Sequence, residues 1–140
     1  MAIKTSTIQV RTSSSTDIID ISGQVEEIVS EASFPDGLTH LFIAGATAAL
    51  TTIEFESGAV HDLQKAIEKI APQNITYEHD RRWGDGNGYA HVRAALLGPS
   101  LTIPLVNGKM LLGTWQQVVL CDFDNRPRTR EIIVQVYSSE

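Results

Sequence analysis

The chain has 140 residues, with eleven Lys and Arg against seventeen Asp and Glu and a formal charge of −6. That length suits one domain spanning residues 1–140, large enough to bury an apolar core and too short for two ordinary ones. The acidic balance argues against a nucleic-acid partner, and hydrophobic and charged fractions of 42% and 20% exclude a disordered or fibrous chain.

Residues 3–11 alternate loosely and are rich in Thr, Ile and Val, which predicts an edge strand followed by a polar turn at Ser13-Ser14-Ser15-Thr16. Ser22 is placed to cap a helix whose Val25, Ile28, Val29 and Ala32 share one face, ended by Pro35-Asp36-Gly37. Two apolar stretches, 38–44 and 48–55, read as adjacent strands joined through Gly45 and Ala46. An amphipathic helix follows, with Val60, Leu63, Ile67 and Ile70 on its inner face and Pro72 as its stop.

Asn87 is placed to cap a third helix through Ala90, Val92, Ala94, Ala95 and Leu96, closed by Gly98-Pro99. The remainder reads as strands: 100–106, a hairpin turn at Asn107-Gly108, 109–113 continuing through 115–123, and 129–137. Three helices and a late β-meander predict an α+β fold with a mostly antiparallel sheet. Cys121 is the one cysteine, so neither an intrachain disulfide nor a multi-thiolate zinc site is expected, and core packing is its predicted role. The N-terminus lacks an apolar leader, and no run approaches the ~18 apolar residues of a membrane span, so a cytoplasmic protein without a membrane partner is expected.

The segment from Tyr77 to Gln116 concentrates the candidate chemistry. His79 and His91 flank a Gly-rich acidic loop, Trp83 to Gly88, and two imidazoles so placed can share a divalent metal or act as an acid–base pair. Asp80, Asp85 and Glu54 are the candidate third ligands; the bland alternative is that both rings hydrogen-bond nearby backbone. Gly84, Gly86 and Gly88 precede a helix start, where N–H groups can converge on a phosphate, and a hard cation such as magnesium would reconcile Asp85 with that anion. Trp115 is expected mid-strand with Gln116 on the opposite face, one turned to the core and the other to a cleft, solvent or a partner. Arg126, Arg128 and Arg130 form the chain's basic cluster, suited to a small phosphate ligand. Asp62 suits a helix dipole, and His40 and His61 read as structural positions.

These residues resemble the YjbQ family, described as secondary thiamine-phosphate synthase enzymes. The likeness covers nearly the whole chain. It is carried by Thr47-Ala48-Ala49-Leu50-Thr51 with Glu54, by Asp62, by Tyr77-Glu78-His79-Asp80 with Asn87 and His91, and by Gly98 with Ser100-Leu101. Pro104, Gly108, Gly113-Thr114-Trp115-Gln116, Arg128 and Arg130 complete it. The resemblance implies a homotrimer with sites near subunit boundaries. It also implies a reaction that joins a pyrimidinylmethyl diphosphate to a thiazole phosphate with loss of pyrophosphate.

On that reading His79 and His91 with Glu54, Asp80 or Asp85 hold magnesium or zinc, and Arg128 and Arg130 grip phosphates. Trp115 stacks the pyrimidine, while Thr47, Gly86, Asn87 and Gln116 line the substrate. The alternatives are a non-catalytic protein that binds a phosphorylated metabolite or a metal, and a metal-dependent phosphate-ester hydrolase. The family pattern carries a histidine and a Thr or Ser where this chain has Gly45-Ala46.

Overall fold

Alternation along the first strand survives in three dimensions. The computed structural model describes residues 1–13 and 16–140, and β1 (Ile3–Arg11) turns Ile8 and Val10 inward while their neighbours face out. The strand lies at a sheet edge and pairs antiparallel with β8 (Thr129–Ser138) along its whole length. Ser14 and Ser15 of the expected polar turn lie outside the described residues.

The order continues with β2 (Asp17–Asp20), α1 (Ser22–Ala32), β3 (Gly37–Ile43), β4 (Ala48–Ile53), α2 (Ser57–Ile70), α3 (Glu78–Trp83), α4 (Gly88–Leu97), β5 (Ser100–Val106), β6 (Lys109–Met110) and β7 (Gln117–Asp122). All pairings are antiparallel, in a five-stranded sheet ordered β1-β8-β3-β5-β6 and a three-stranded sheet ordered β2-β7-β4. The fold is α+β, as expected. The β5–β6 hairpin turns at Asn107 and Gly108, both at positive φ (52° and 77°), the conformation a two-residue hairpin loop demands.

The strands expected to be adjacent, 38–44 and 48–55, are instead β3 and β4 in different sheets. Burial explains the separation. β3 alternates, with Thr39, Leu41 and Ile43 inward, as suits a sheet covered on one face. Ala48, Ala49 and Leu50 of β4 are buried consecutively, as suits a strand covered on both.

The small sheet is thus a middle layer. Val118 and Leu120 of β7 pack with Leu41, Ile43, Leu50, Ile132 and Val134 between the sheets, where α1 adds Val25 and Val29. Val119 and Cys121 point the other way, into a second core with Ile67 of α2 and Tyr89, Ala90 and Ala94 of α4. Fully burying one such aliphatic side chain is worth roughly 1.5–3 kcal/mol. Cys121 has the predicted core role, and burial pushes its thiol up to about 12.

Several local expectations need correction. There are four helices among the described residues rather than the three expected, because the six residues of α3 are too few to show an apolar period. Its signal is electrostatic, with Glu78 and Asp80 in the first turn and Arg81 and Arg82 in the last. Ser22 opens α1 rather than capping it, and its Oγ accepts from the Val118 N–H at 2.8 Å. Ile70 is 69% exposed, and Ala71 after it takes the inward position. The stretch 109–123 is not one strand, since residues 111–116 leave the sheet and Trp115 stands in a turn, 70% exposed.

Arg93 ties the helical layer together. It is 1% exposed, donates from Nε to Ala71 O at 3.0 Å and from Nη1 to Thr16 Oγ1 at 2.8 Å, pairs with Glu68, and lies 4.9 Å over the Tyr89 ring. Among the described residues, no helix is long and apolar enough to cross a membrane.

Candidate functional site

α3 and α4 bring the two histidines together. His79 and His91 have ring centroids 4.3 Å apart with planes tilted by 38°. The loop between them is drawn tight by Asp80, whose Oδ1 accepts from the Gly88 N–H at 2.8 Å and whose Oδ2 accepts from the Tyr77 N–H at 3.4 Å. A Cβ on Gly88 would come within 2.5 Å of Tyr77 Cβ, so only glycine permits this approach. Gly84 and Gly86 serve differently, at φ of 71° and 69° in the connecting turn.

Two buried polar atoms beside this junction, His79 Nδ1 and Asn87 Oδ1, have no hydrogen-bond partner among the described residues. Such atoms cost free energy unless something satisfies them. Burial, and then the neighbouring His79, lower the pKa of His91, which keeps its ring neutral at pH 7 with a free lone pair.

A polar network beneath the pair links the helices to the small sheet. Arg130 donates from Nε and Nη2 to both oxygens of Asp122, at 3.0 and 2.9 Å, and from Nη2 to Thr47 Oγ1 at 2.8 Å. Thr47 Oγ1 in turn donates to Asp124 Oδ2 at 3.2 Å, and Arg128 Nε reaches the same oxygen at 2.8 Å. Asn87 stands at the N-terminus of α4, yet its side chain donates to Asp124 Oδ1 at 3.2 Å rather than capping the helix.

Asp122 and Asp124, each 1% exposed, were missed in the sequence. Their signal was present: two carboxylates at the end of an apolar strand, four and eight residues before Arg128 and Arg130. Arg128 and Arg130 are consequently engaged by buried carboxylates.

Asp124 carries a pH-dependent share of the stability. Burial by itself would raise its pKa, but hydrogen bonds from Asn87, Arg128 and the Asn125 N–H, with the Arg128 charge, outweigh it and hold the group at about 2 against an ordinary 3.8. A depressed folded-state pKa stabilises above the unfolded pKa, and that contribution fades as pH falls from about 4 toward 2. Its size is on the order of 2 kcal/mol. Asp124→Asn should therefore lose about that much at pH 6, with the gap to the parent closing near pH 2. Denaturant titrations across this range check it, and a gap independent of pH would contradict the assignment.

The remaining predicted residues lie elsewhere. The β4–β7 ladder runs from Ala48 opposite Asp122 to Ile53 opposite Gln117, roughly 17 Å of strand. Thr47 and Arg130 belong to its first end; Glu54, Trp115 and Gln116 belong to the other. There Gln116 accepts from the Gly113 N–H at 3.0 Å and donates to Thr52 Oγ1 at 3.1 Å.

Asp85 is exposed, with its backbone oxygen taken by Asn125 Nδ2 at 2.9 Å, and Gly86 lies beside that same amide. Among the described residues, no three His, Cys, Asp or Glu side chains gather as a metal-binding group. The residues that could hold a cation here are the two imidazoles, whose nitrogens are of a ligand type that zinc accepts.

Comparison with known proteins agrees with the architecture. The chain matches the family described as UPF0047 protein, YjbQ-like, over residues 6–139. It is 40% identical over 128 residues to a UPF0047 protein of Archaeoglobus fulgidus, covering 91% of this chain and 97% of that one. It is 30% identical over 131 residues to the UPF0047 protein YugU of Bacillus subtilis, covering 93% and 96%.

Among solved structures, a YbjQ-like protein of unknown function from Sulfolobus solfataricus superposes with a TM-score of 0.88 at 28% identity, covering 99% of this chain and all of that one. A yjbq/upf0047 family protein from Clostridium acetobutylicum gives 0.85 at 32% identity, covering 94% and 98%. Sequence and fold thus agree along almost the full length, and the chain belongs to the YjbQ-like UPF0047 family.

Proposed function

We propose that the protein binds a small phosphorylated metabolite at the His79–His91 pair, through a divalent cation held by the two imidazoles. The observation that carries this reading is the buried, unpartnered Nδ1 of His79 in a ring 4.3 Å from that of His91. Bound there, a dication would neutralise phosphate charge and polarise a phosphoryl oxygen. The protein's own contribution is to hold His91 neutral and both rings oriented: Asp80 fixes the start of α3 against α4, and Asn87 offers its free Oδ1 to a donor on the ligand. Zinc suits a nitrogen pair better than magnesium, which prefers oxygen.

The pairing of Arg128 and Arg130 with buried carboxylates supports binding through the cation rather than through those guanidiniums. A second reading is the transfer implied by the resemblance, in which a pyrimidinylmethyl diphosphate joins a thiazole phosphate as a secondary activity. The neutral His91 beside His79 favours it, as an acid–base pair within reach of a departing diphosphate. That reaction needs Trp115, Gln116 and Glu54 as well, and the length of the β4–β7 ladder separates them from the histidines within one chain. A homotrimer in which one copy's Trp115 end meets the next copy's histidines belongs to this second reading. Light scattering at three times the 15.3 kDa chain mass checks it.

Zinc with inorganic phosphate should raise the melting temperature by on the order of 5–10 °C at concentrations well above Kd. His79→Ala and His91→Ala should each abolish that shift while leaving the unliganded melting curve nearly in place. Zinc titration by calorimetry gives the direct readout, and full zinc affinity in both variants would reject the site. Product assays for thiamine phosphate and free phosphate then separate binding alone from transfer and hydrolysis.

A further inference from the structure

Immediately beside His91 the surface opens into a hollow of about 240 Å³. Gly45 and Ala46 border it on one side, and Ala94, Ala95 and Pro99 on the other. Its α4 side follows from helix geometry: His91, Ala94 and Ala95 fall at i, i+3 and i+4 and so share one face. On the opposite side the chain leaves β3 and crosses to the small sheet through Gly45, whose φ of 139° disfavours any larger residue. A Cβ there would also come to 3.3 Å from Arg130 Nη1, a tight contact with the buried Arg130–Asp122 pair.

The hollow is walled by methyl, methylene and backbone groups, with His91 as the one ionisable side chain among the described residues lining it. A charged ligand group placed against such walls would lose hydration without gaining a counter-charge, whereas an uncharged one gains by leaving water. At ~30 Å³ per water the space holds about eight waters, enough for a four-carbon chain or a small ring.

Resting on the phosphate reading above, we infer that this hollow selects the ligand. The metabolite is a phosphate monoester whose ester group is compact, uncharged and apolar, with its phosphate at His79 and His91 and its organic group lying over Ala94, Ala95 and Pro99. Specificity therefore resides in the Gly45-Ala46 bend and the alanine face of α4, while the histidines supply affinity for the anion.

The test measures binding of inorganic phosphate, methyl phosphate and butyl phosphate by calorimetry, to the full chain supplied with zinc and to its Ala95→Leu and Ala46→Leu variants. Both positions are exposed, so either variant should fold. Since a fully buried methylene is worth roughly fourfold in affinity, a partly covered butyl chain should bind about tenfold tighter than inorganic phosphate. Filling the hollow should erase most of that gain and leave inorganic phosphate within about twofold of the parent.

Inorganic phosphate that binds with no gain from the butyl chain, or a gain that survives both leucines, overturns this inference alone. Failure of all three phosphates to bind overturns the phosphate reading and this inference with it.

Discussion

Arg130→Ala should cost roughly 3–5 kcal/mol of folding stability, the range for removing one partner of a buried ion pair. The substitution strands Asp122, which is 1% exposed and receives two hydrogen bonds from the Arg130 guanidinium. It also removes the donor that holds Thr47, and with it one link of the chain running to Asp124 and Asn87. Urea denaturation should show a lower midpoint with little change in slope. The double variant Arg130→Met with Asp122→Leu should recover much of the loss, because buried charge pairs can be replaced by apolar pairs at small net cost. A single variant within about 1 kcal/mol of the parent would mean that water reaches Asp122, against the burial described above.

Gly37→Ala is expected to destabilise by roughly 2–5 kcal/mol, combining overpacking with backbone strain. At φ 154° this first residue of β3 lies outside the usual range of side-chain-bearing residues, and a Cβ would sit 1.8 Å from Tyr137 O and 2.8 Å from the same carbonyl carbon. That obstacle is backbone, so no rotamer change relieves it; the β3–β8 ladder must open at that end, where Gly37 faces Ser138. Gly23→Ala is the matched control. Gly23 lies in α1 with nothing within 4 Å of an added Cβ, so alanine there should stabilise by about 0.5–1 kcal/mol through helix propensity. Opposite signs from the same change test the two environments by thermal denaturation, and a neutral Gly37→Ala would refute the assigned β3 backbone.

Particular residues show why the site was half legible. His79 and His91 stood out as paired imidazoles around a glycine-rich loop, and they do meet, because the short α3 folds back on α4 through Asp80 and Gly88. Trp115 and Gln116 stood out equally, yet they lie at the far end of the β4–β7 ladder. A motif marks residues as unusual without measuring how much strand separates them. Asp122 and Asp124 were overlooked for the converse reason: carboxylates at a strand end look like solvated residues until the fold covers them.

The pattern of apolar residues by itself determined that the chain forms an antiparallel α+β domain with β1 at an edge and an Asn107-Gly108 hairpin, because period and turn chemistry act over a few neighbouring residues. Only the tertiary structure decided that β3 and β4 part into separate sheets, and that Arg128 and Arg130 pair with buried aspartates. It also placed an apolar hollow beside His91. These depend on which faces are covered and which distant residues meet, and burial and ion pairing are properties of the packed chain rather than of any local stretch.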